Sequence, residues 1–263
     1  MNNKLKGVIP ALITPLKENR TIDLTLLERQ VCYLVTEGVH GFFVNGTTGE
    51  GLYLAKEERR LVLQTVKDVS KGRTFICAAC IQPSTEQTIR EIENIADIEP
   101  DFIVAVVPLY YAVSQSTIIH HFRQISKSSP NPLVLYNIPQ CTGNRLELET
   151  VLELSELPNI AGIKDSSGDF SSFSRGMFLK KNGFRWIQGE DYLDGPSLSL
   201  GAPGIVTGLG NIWIQPYVRM FKAAEIKDAA EIENCQKQIN QLYGILRING
   251  IQNIAAIKAG TSL

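Results

Sequence analysis

The sequence predicts an α/β protein folded as one (β/α)8 (TIM) barrel with a C-terminal helical extension. Short β-rich apolar runs alternate with longer segments of helical period from end to end, the alternation typical of βα units around a parallel sheet. Eight such units follow one another, and a length of 263 residues fits a single barrel, for which about 250 residues is typical. No linker or low-complexity tract divides the chain, so a second domain is possible but not required.

The predicted strands are the short apolar runs. They cover residues 7–14, 41–45, 74–79, 102–107, 133–136, 160–164, 184–188 and 204–206. The helical patterns that follow them cover residues 24–37, 56–69, 86–96, 116–126, 146–154, 170–179, 193–200 and 215–224. Asp23 and Ser84 stand at N-cap positions, and Gly38 and Gly72 follow helix ends, so these boundaries carry the expected capping residues.

Two further helical segments, residues 229–246 and 250–263, follow the eighth unit. We therefore assign residues 1–224 to the catalytic barrel and residues 225–263 to the C-terminal extension.

Composition excludes several functions. With 26 Lys+Arg against 27 Asp+Glu, the net charge of -1 provides no cationic excess for binding nucleic acid or an acidic membrane. The N-terminus has no signal-type apolar stretch, and no run approaches the roughly 20 apolar residues of a membrane span. We therefore expect a cytoplasmic protein whose partner is a small molecule.

Neither cysteines nor histidines predict a metal or redox centre. Cys77 and Cys80 have the spacing of a redox or zinc pair, but they lie in a predicted strand, so we interpret them as core cysteines. The five scattered cysteines do not indicate a disulfide framework. The histidines show no metal-ligand spacing, so we expect no metal site and no histidine base.

Catalytic groups of such barrels cluster at the C-terminal ends of strands. Three ends carry reactive or anion-binding residue types: Asn-Gly-Thr-Thr-Gly-Glu-Gly at 45–51, Tyr-Asn-Ile-Pro at 136–139 and Gly-Ile-Lys-Asp-Ser-Ser-Gly at 162–168. Lys164 would point into the barrel mouth, where desolvation favours a neutral amine that can attack a ketone. The resulting imine is an electron sink for C–C cleavage or condensation. The alternative is a solvated lysine paired with Asp165.

The other two ends are ambiguous when taken alone. Backbone N–H groups of residues 46–51 can form an anion-binding nest, to which Thr47 and Thr48 add hydroxyls, although a plain turn is the alternative. No Gly-Lys-Thr or Gly-Lys-Ser follows, so this is not a Walker-type loop. Tyr136 is either a core aromatic or a phenol that relays protons beside an imine.

Together with Pro-Leu-Tyr-Tyr at 108–111, these motifs resemble, in order and over nearly the whole chain, the dihydrodipicolinate synthase and N-acetylneuraminate lyase family of class I aldolases. The resemblance implies that Lys164 forms a Schiff base with pyruvate or another 2-oxo acid, without a separate cofactor. It implies that Tyr136 is the proton relay and acid/base, hydrogen-bonded through Thr47 to Tyr110. Thr48, with the amides of both threonines, would hold the pyruvate carboxylate.

The resemblance also implies an assembly. In this family the tyrosine that matches Tyr110 commonly serves the site across a tight subunit interface, and we expect a homotetramer of paired dimers. Family members continue for a few helical turns beyond the position of Ala259, so the helical extension is expected to be short or incomplete relative to theirs.

The second substrate is less clearly indicated. Dihydrodipicolinate synthases read Tyr-Asn-x-Pro-x-Arg-Thr-Gly, where the arginine clamps a carboxylate, and Cys141 replaces that arginine here. A thiol lacks the planar fork of donors, and losing such a contact in a buried site costs about 1 to 3 kcal/mol. Arg145 is a nearby candidate to replace it.

Sialate lyases have a serine at the position of Thr47, so the match to that branch is also imperfect. Positions that contact sugar hydroxyls in that branch correspond here to Ser166, Gly189, Asp191 and Thr207, a set without a fixed cation. Val206 completes the implied substrate-binding set beyond the threonines. We expect an aldolase that cleaves a 2-keto-3-deoxy sugar acid to pyruvate and an aldehyde. The alternative is 4-hydroxy-tetrahydrodipicolinate synthase, which condenses pyruvate with aspartate semialdehyde.

Two rival functions differ from an imine-dependent aldolase. Glycine-rich segments at 189–191 and 208–211 follow strands seven and eight, where many barrels bind phosphate, so a phosphosugar isomerase is one rival. The other is a regulator that binds a 2-oxo acid without turnover. The isomerase leaves Lys164 and Tyr136 without roles, and the intact set of Lys164, Tyr136 and Thr47 argues against the regulator.

Overall fold

Eight parallel strands run in sequence order around a barrel in the computed structural model, which describes residues 4–246 and 253–261. The strands within these ranges are β1 (Gly7–Pro10), β2 (Gly41–Val44), β3 (Phe75–Ala79), β4 (Phe102–Val106), β5 (Leu133–Asn137), β6 (Ile160–Asp165), β7 (Arg185–Gln188) and β8 (Gly204–Thr207). All eight predicted strands are confirmed.

The barrel closes between β1 and β2. Ladder pairing runs from β1 through β8, β7 and the remaining strands to β2. An isolated parallel bridge joins Ala11 to Phe43, and the His40 amide donates to the Val8 carbonyl at 2.9 Å. Because the two end strands meet in this way, the sheet is left without an open edge.

The described helices pack outside the strands. They are α1 (Leu24–Thr36), α2 (Lys56–Ser70), α3 (Thr85–Ile95), α4 (Gln115–Ser128), α5 (Pro139–Thr142), α6 (Leu148–Ser155), α7 (Phe170–Leu179), α8 (Asp194–Ser199), α9 (Gln215–Glu225), α10 (Ala229–Leu246) and α11 (Asn253–Thr261). Asp23 accepts a hydrogen bond from the Leu26 amide, and Ser84 accepts one from the Gln87 amide, so both predicted N-caps are confirmed. None of the helices in the described ranges is long and apolar enough to cross a membrane.

Apart from shifts of one or two residues at element ends, two predictions within the barrel differ from the structure. The first predicted strand is too long, because β1 ends at Pro10 and only an isolated bridge at Ala11 follows it. From Ile13 onward, the chain forms hydrogen bonds with the loops above the barrel. There the Ile13 amide donates to Asn211 Oδ1 at 3.3 Å, and Thr14 Oγ1 donates to the Gly49 carbonyl at 2.7 Å. The short helix α5 is missing from the prediction, since its four residues are too few to show helical periodicity.

Apolar side chains form two layers. One fills the barrel interior and includes Phe43, Cys77, Tyr136 and Val206. The other lies between strands and helices and includes Cys80. Cys77 and Cys80 therefore face opposite sides of the sheet as free thiols whose pKa values are raised by burial, which confirms that they are core cysteines.

The C-terminal part is helical where it is described. α10 packs against α8 and α9, and α11 lies against the 3₁₀ helix Leu209–Asn211 that follows β8. This agrees with the predicted helical extension. The remaining residues of the predicted segment 250–263 lie outside the described residues.

Candidate active site

Lys164 lies inside the barrel at the end of β6, with 5% of its surface exposed. Its Nζ atom lies 4.0 Å from the ring centroid of Tyr136 and 4.2 Å from that of Phe43. Asp165 points elsewhere, because its Oδ1 accepts hydrogen bonds from Asn137 Nδ2 at 3.2 Å and from the Ser167 amide at 2.9 Å. The alternative of a solvated lysine paired with Asp165 is therefore wrong.

Tyr136 is the neighbour of Lys164 across the sheet, in register on β5. It is buried, and its ring meets that of Phe43 edge-on with centroids 5.5 Å apart. Its hydroxyl lies 3.4 Å from Thr47 Oγ1, at the long end of hydrogen-bonding distance. The structure thus brings an amine, a phenol and a hydroxyl from β6, β5 and the β2 loop to one place.

The glycine-rich loop after β2 is held tightly against its own strand end. A Cβ on Gly51 would lie 2.0 Å from the Asn45 carbonyl oxygen, and one on Gly49 would lie 2.8 Å from the Leu12 carbonyl oxygen, so the fold requires glycine at both positions. Within the described part of the chain, the amide N–H groups of Thr47 and Thr48 donate to no protein acceptor. Two adjacent unpaired donors with a threonine hydroxyl beside them can bind a carboxylate.

Gly189 forms a wall beside the lysine. A Cβ there would lie 2.2 Å from Ser166 Oγ and 3.0 Å from Lys164 Cε. Ser166 Oγ donates to the Gly189 carbonyl at 3.0 Å, which ties the ends of β6 and β7 together. Any larger residue at this position would therefore clash with Lys164 and Ser166, and glycine leaves room for both.

Asp191 and Thr207 meet at the ends of β7 and β8. Asp191 Oδ1 accepts from Thr207 Oγ1 at 2.5 Å and from the Tyr217 hydroxyl at 2.7 Å. Thr207 is fully buried, and its Oγ1 also accepts from the Gly210 amide at 2.8 Å. Burial raises the pKa of Asp191, against the lowering effects of Thr207, Tyr217 and Lys164. The Thr207 hydroxyl is thus engaged within the protein and supports Asp191.

Tyr110 stands apart from these groups in the single chain. It adopts a left-handed backbone conformation with φ of 77°, and 86% of its surface is exposed. Its ring packs edge-on against Tyr111 with centroids 5.0 Å apart. Within the described residues, the hydroxyl partner of Thr47 is Tyr136 and not Tyr110.

A cavity of about 290 Å³ opens beside Thr47 and is walled mainly by apolar side chains. Cys141, on α5, lines it at the position where the family pattern has arginine. Arg145 does not line this cavity; it lies in a separate one beside Asp165, and its guanidinium is 3.7 Å from the Asp169 carboxylate. The geometry therefore does not support Arg145 as the replacement for that arginine.

Two contributors to the site were not found from the sequence. Phe43 looked like one more apolar residue of β2, and only its place inside the barrel under Lys164 distinguishes it. Tyr217 lies on α9, with no local motif that connects it to Asp191. The alternation of side chains along β2 could have indicated Phe43, whereas nothing in the sequence indicates the contact of Tyr217.

Comparisons with known proteins agree with this architecture. The sequence profile of the Dihydrodipicolinate synthetase family matches residues 4–263. The 4-hydroxy-tetrahydrodipicolinate synthase of Methanospirillum hungatei is 33% identical over 226 residues, which cover 85% of this chain and 77% of the relative. That of an Exiguobacterium species is 33% identical over 257 residues, or 96% of this chain and 87% of the relative.

A solved structure gives a similar result. YagE, a prophage protein of the dihydrodipicolinic acid synthase family from E. coli K12, was solved in complex with pyruvate. It matches with a TM-score of 0.93 and 26% identity, over 98% of this chain and 88% of its own.

Proposed function

Because this chain belongs to the dihydrodipicolinate synthetase family, whose members are pyruvate-dependent carbon–carbon lyases, we propose that it is a class I aldolase in which Lys164 forms the imine with pyruvate or another 2-oxo acid. The observation that carries the proposal is the place of Lys164 Nζ, inside the barrel against the rings of Tyr136 and Phe43. There the amine is shielded from bulk water and can meet the carbonyl carbon of a 2-oxo acid that enters the barrel mouth.

The proposed reaction starts with attack of Lys164 Nζ on C2 of the 2-oxo acid. The carbinolamine loses water and becomes an imine, which draws electrons from C3 when a proton or an aldehyde leaves that carbon. In the cleavage direction, the substrate hydroxyl gives up its proton, the C–C bond breaks to release the aldehyde, and an enamine remains. Protonation at C3 and hydrolysis of the imine then release pyruvate and restore the amine. Condensation follows the same steps in reverse.

Tyr136 is the proposed proton carrier for these steps. Its ring lies 4.0 Å from the amine, and its hydroxyl lies 3.4 Å from that of Thr47, with which it would exchange protons. The amides of Thr47 and Thr48, which donate to no acceptor among the described residues, form the proposed carboxylate site with the Thr48 hydroxyl. Gly189 and Val206 complete the walls around the imine.

Tyr110 has a role in this proposal only in an assembly. Tyr110 and Tyr111 expose a pair of aromatic rings on the outside of the chain, and Leu52 and Tyr53 are exposed in the loop that carries Thr47. Apolar surfaces of this kind are typical of protein interfaces. We propose a homotetramer of paired dimers in which Tyr110 of the partner subunit reaches Thr47. The cytoplasmic location also stays a prediction.

The proposed substrate is a 2-keto-3-deoxy sugar acid. Its support is Cys141, since none of the described residues that line the cavity beside Thr47 offers a guanidinium to clamp the carboxylate of aspartate semialdehyde. Ser166 and Asp191 are the proposed contacts for sugar hydroxyls, with Thr207 acting through Asp191. The relatives named 4-hydroxy-tetrahydrodipicolinate synthase support the alternative, condensation with aspartate semialdehyde. The phosphosugar isomerase leaves the buried amine without a role, and the intact set of Lys164, Tyr136 and Thr47 argues against the regulator.

Steady-state assays distinguish the two substrates. Pyruvate release from a series of 2-keto-3-deoxy sugar acids is compared with pyruvate consumption in the presence of aspartate semialdehyde. We expect faster turnover of a sugar acid, and Cys141→Arg should shift the preference toward aspartate semialdehyde. Cys32→Arg, at an exposed position on α1, is the matched control and should not. Faster turnover of aspartate semialdehyde by the unmodified enzyme would contradict the sugar acid proposal.

A further inference from the structure

Glu50, the acidic residue of the glycine-rich loop, forms an ion pair with Lys258 on α11. The Glu50 side chain is 26% exposed and the Lys258 side chain 24% exposed, so the pair is largely shielded from solvent. Glu50 also has a left-handed backbone conformation, with φ of 54°, and lies in a tight turn. The proposed chemistry uses neither residue.

The same helix reaches the proposed carboxylate site. Ile257 is buried, and a Cβ on Gly208 would lie 3.4 Å from both Ile257 Cδ1 and Thr48 Oγ1. Ile257 and Thr48 therefore approach the end of β8 from two sides. Ile254, one turn earlier, lines the cavity that Thr47 and Cys141 also line.

The remaining anchors of the loop leave Thr48 unsupported. Asn45 Nδ2 donates to the Arg59 carbonyl at 2.8 Å, and the Gly49 carbonyl accepts from Thr14 at 2.7 Å. In the described residues, the Thr48 side chain forms no hydrogen bond, so its orientation depends on packing beside Gly208, which Ile257 of α11 also approaches. Glu50 is two residues further along and joins this part of the loop to α11 by charge.

From these contacts we propose that the Glu50–Lys258 ion pair is a positioning device. It holds α11 against the glycine-rich loop, and α11 then keeps Thr48 oriented toward the substrate carboxylate and Ile254 in the cavity wall. This inference rests on the proposed function, because it assigns the loop to the 2-oxo acid. Lys258 and Glu50 are positioning residues and do not touch the reacting atoms.

The test compares Lys258→Ala, Glu50→Gln and the exchanged pair Glu50→Lys/Lys258→Glu with the unmodified enzyme. Two quantities are measured for each variant. One is the concentration of pyruvate that gives half-maximal borohydride trapping, and the other is the turnover with pyruvate as substrate, given as KM for pyruvate and kcat. We expect both single variants to raise the half-saturating pyruvate concentration and KM about three- to tenfold with kcat within about twofold, the size expected for a largely shielded charge pair. The exchanged pair should recover most of this loss.

Arg219→Ala is the matched control, since it removes the ion pair of Arg219 with Glu231, whose side chains lie on α9 and α10. It should leave pyruvate saturation unchanged.

If the unmodified enzyme is trapped normally and both single variants saturate like it, the positioning role is wrong and the proposed function stands. An exchanged pair as weak as the single variants also overturns the inference. If Lys258→Ala does not fold, Glu50→Gln, which keeps nearly the same shape, decides by the same measurement. Failure of the unmodified enzyme to form any adduct contradicts the proposed function instead.

Discussion

Replacing Gly189 by alanine would place a methyl group into the space beside the proposed catalytic lysine. The added Cβ would lie 2.2 Å from Ser166 Oγ, 3.0 Å from Lys164 Cε and 3.1 Å from the Asp165 carbonyl oxygen. The serine must therefore rotate away and lose its hydrogen bond to the Gly189 carbonyl, which costs about 1 kcal/mol. Overpacking adds about 1 to 3 kcal/mol, so we expect Gly189→Ala to lower the free energy of unfolding by about 2 to 4 kcal/mol.

The effect on activity should exceed the effect on folding. Lys164 Nζ is held at 4.0 Å from the Tyr136 ring centroid, and a displacement of about 1 Å in a reacting group can reduce the rate about 100-fold. The assays are urea unfolding for stability and the rate of borohydride trapping with saturating pyruvate for Lys164. Gly244→Ala, in α10, is the control, because an added Cβ meets no described atom within 4 Å and should change stability by at most about 1 kcal/mol, in the stabilising direction.

A Gly189→Ala variant that unfolds at the same urea concentration as the parent and is trapped at the same rate would refute this reasoning. It would mean that the lysine and Ser166 have room to move without loss of function. A variant that loses stability but keeps the trapping rate would separate the packing argument from the catalytic one, and it would contradict only the latter.

Three further predictions concern single groups. Tyr136→Phe removes the hydroxyl beside Thr47 and keeps the ring next to Lys164. We expect kcat to fall about 10²- to 10⁴-fold while the pyruvate adduct on Lys164 still forms. A kcat within threefold of that of the parent would contradict a proton-carrying role. Burial lowers the pKa of His121 from 6.5 to about 4, so the parent should lose about 3 kcal/mol of stability as pH falls from 7 to 4, measured by urea unfolding. His121→Gln should lack this acid-limb slope, and equal slopes would show that another group is responsible. Burial next to Asp191 and Glu190 raises the pKa of Asp194 well above its usual value, so its contribution to stability is present at low pH and is lost as pH rises from about 4. Thermal melts of Asp194→Asn should therefore show a gain relative to the parent that grows between pH 4 and pH 7, and a constant difference would refute the assigned ionisation.

The fold could be predicted because the strands of a parallel barrel are buried on both faces and appear as continuous apolar runs. Gly162-Ile-Lys-Asp illustrates this, since the apolar run stops where β6 reaches the barrel mouth. Lys164, Tyr136 and Thr47 followed from the same rule, because they were found by reading the strand ends and the loops after them, whereas Tyr110 came from the family resemblance.

Contacts that depend on distant parts of the chain could not be predicted. Arg145 is close to Cys141 in sequence, but the intervening α5 and the left-handed Gly143, with φ of 75°, turn the chain so that the arginine meets Asp169. Likewise, Thr207 looked like a ligand for sugar hydroxyls, whereas its hydroxyl is used by Asp191 and Gly210. The contacts of Thr207 result from packing between β7, β8 and α9, which leaves no periodic signal in the sequence.

The central claim is that Lys164 forms an imine with pyruvate, and borohydride reduction tests it most directly. The protein is reduced with and without pyruvate, digested, and the peptide containing Lys164 is weighed by mass spectrometry, with Lys164→Ala as the control. We predict a pyruvate-derived adduct on Lys164 that is absent from Lys164→Ala and from the sample without pyruvate. No adduct on Lys164 at any pH near neutrality, or an equal adduct on another lysine in Lys164→Ala, would contradict the account.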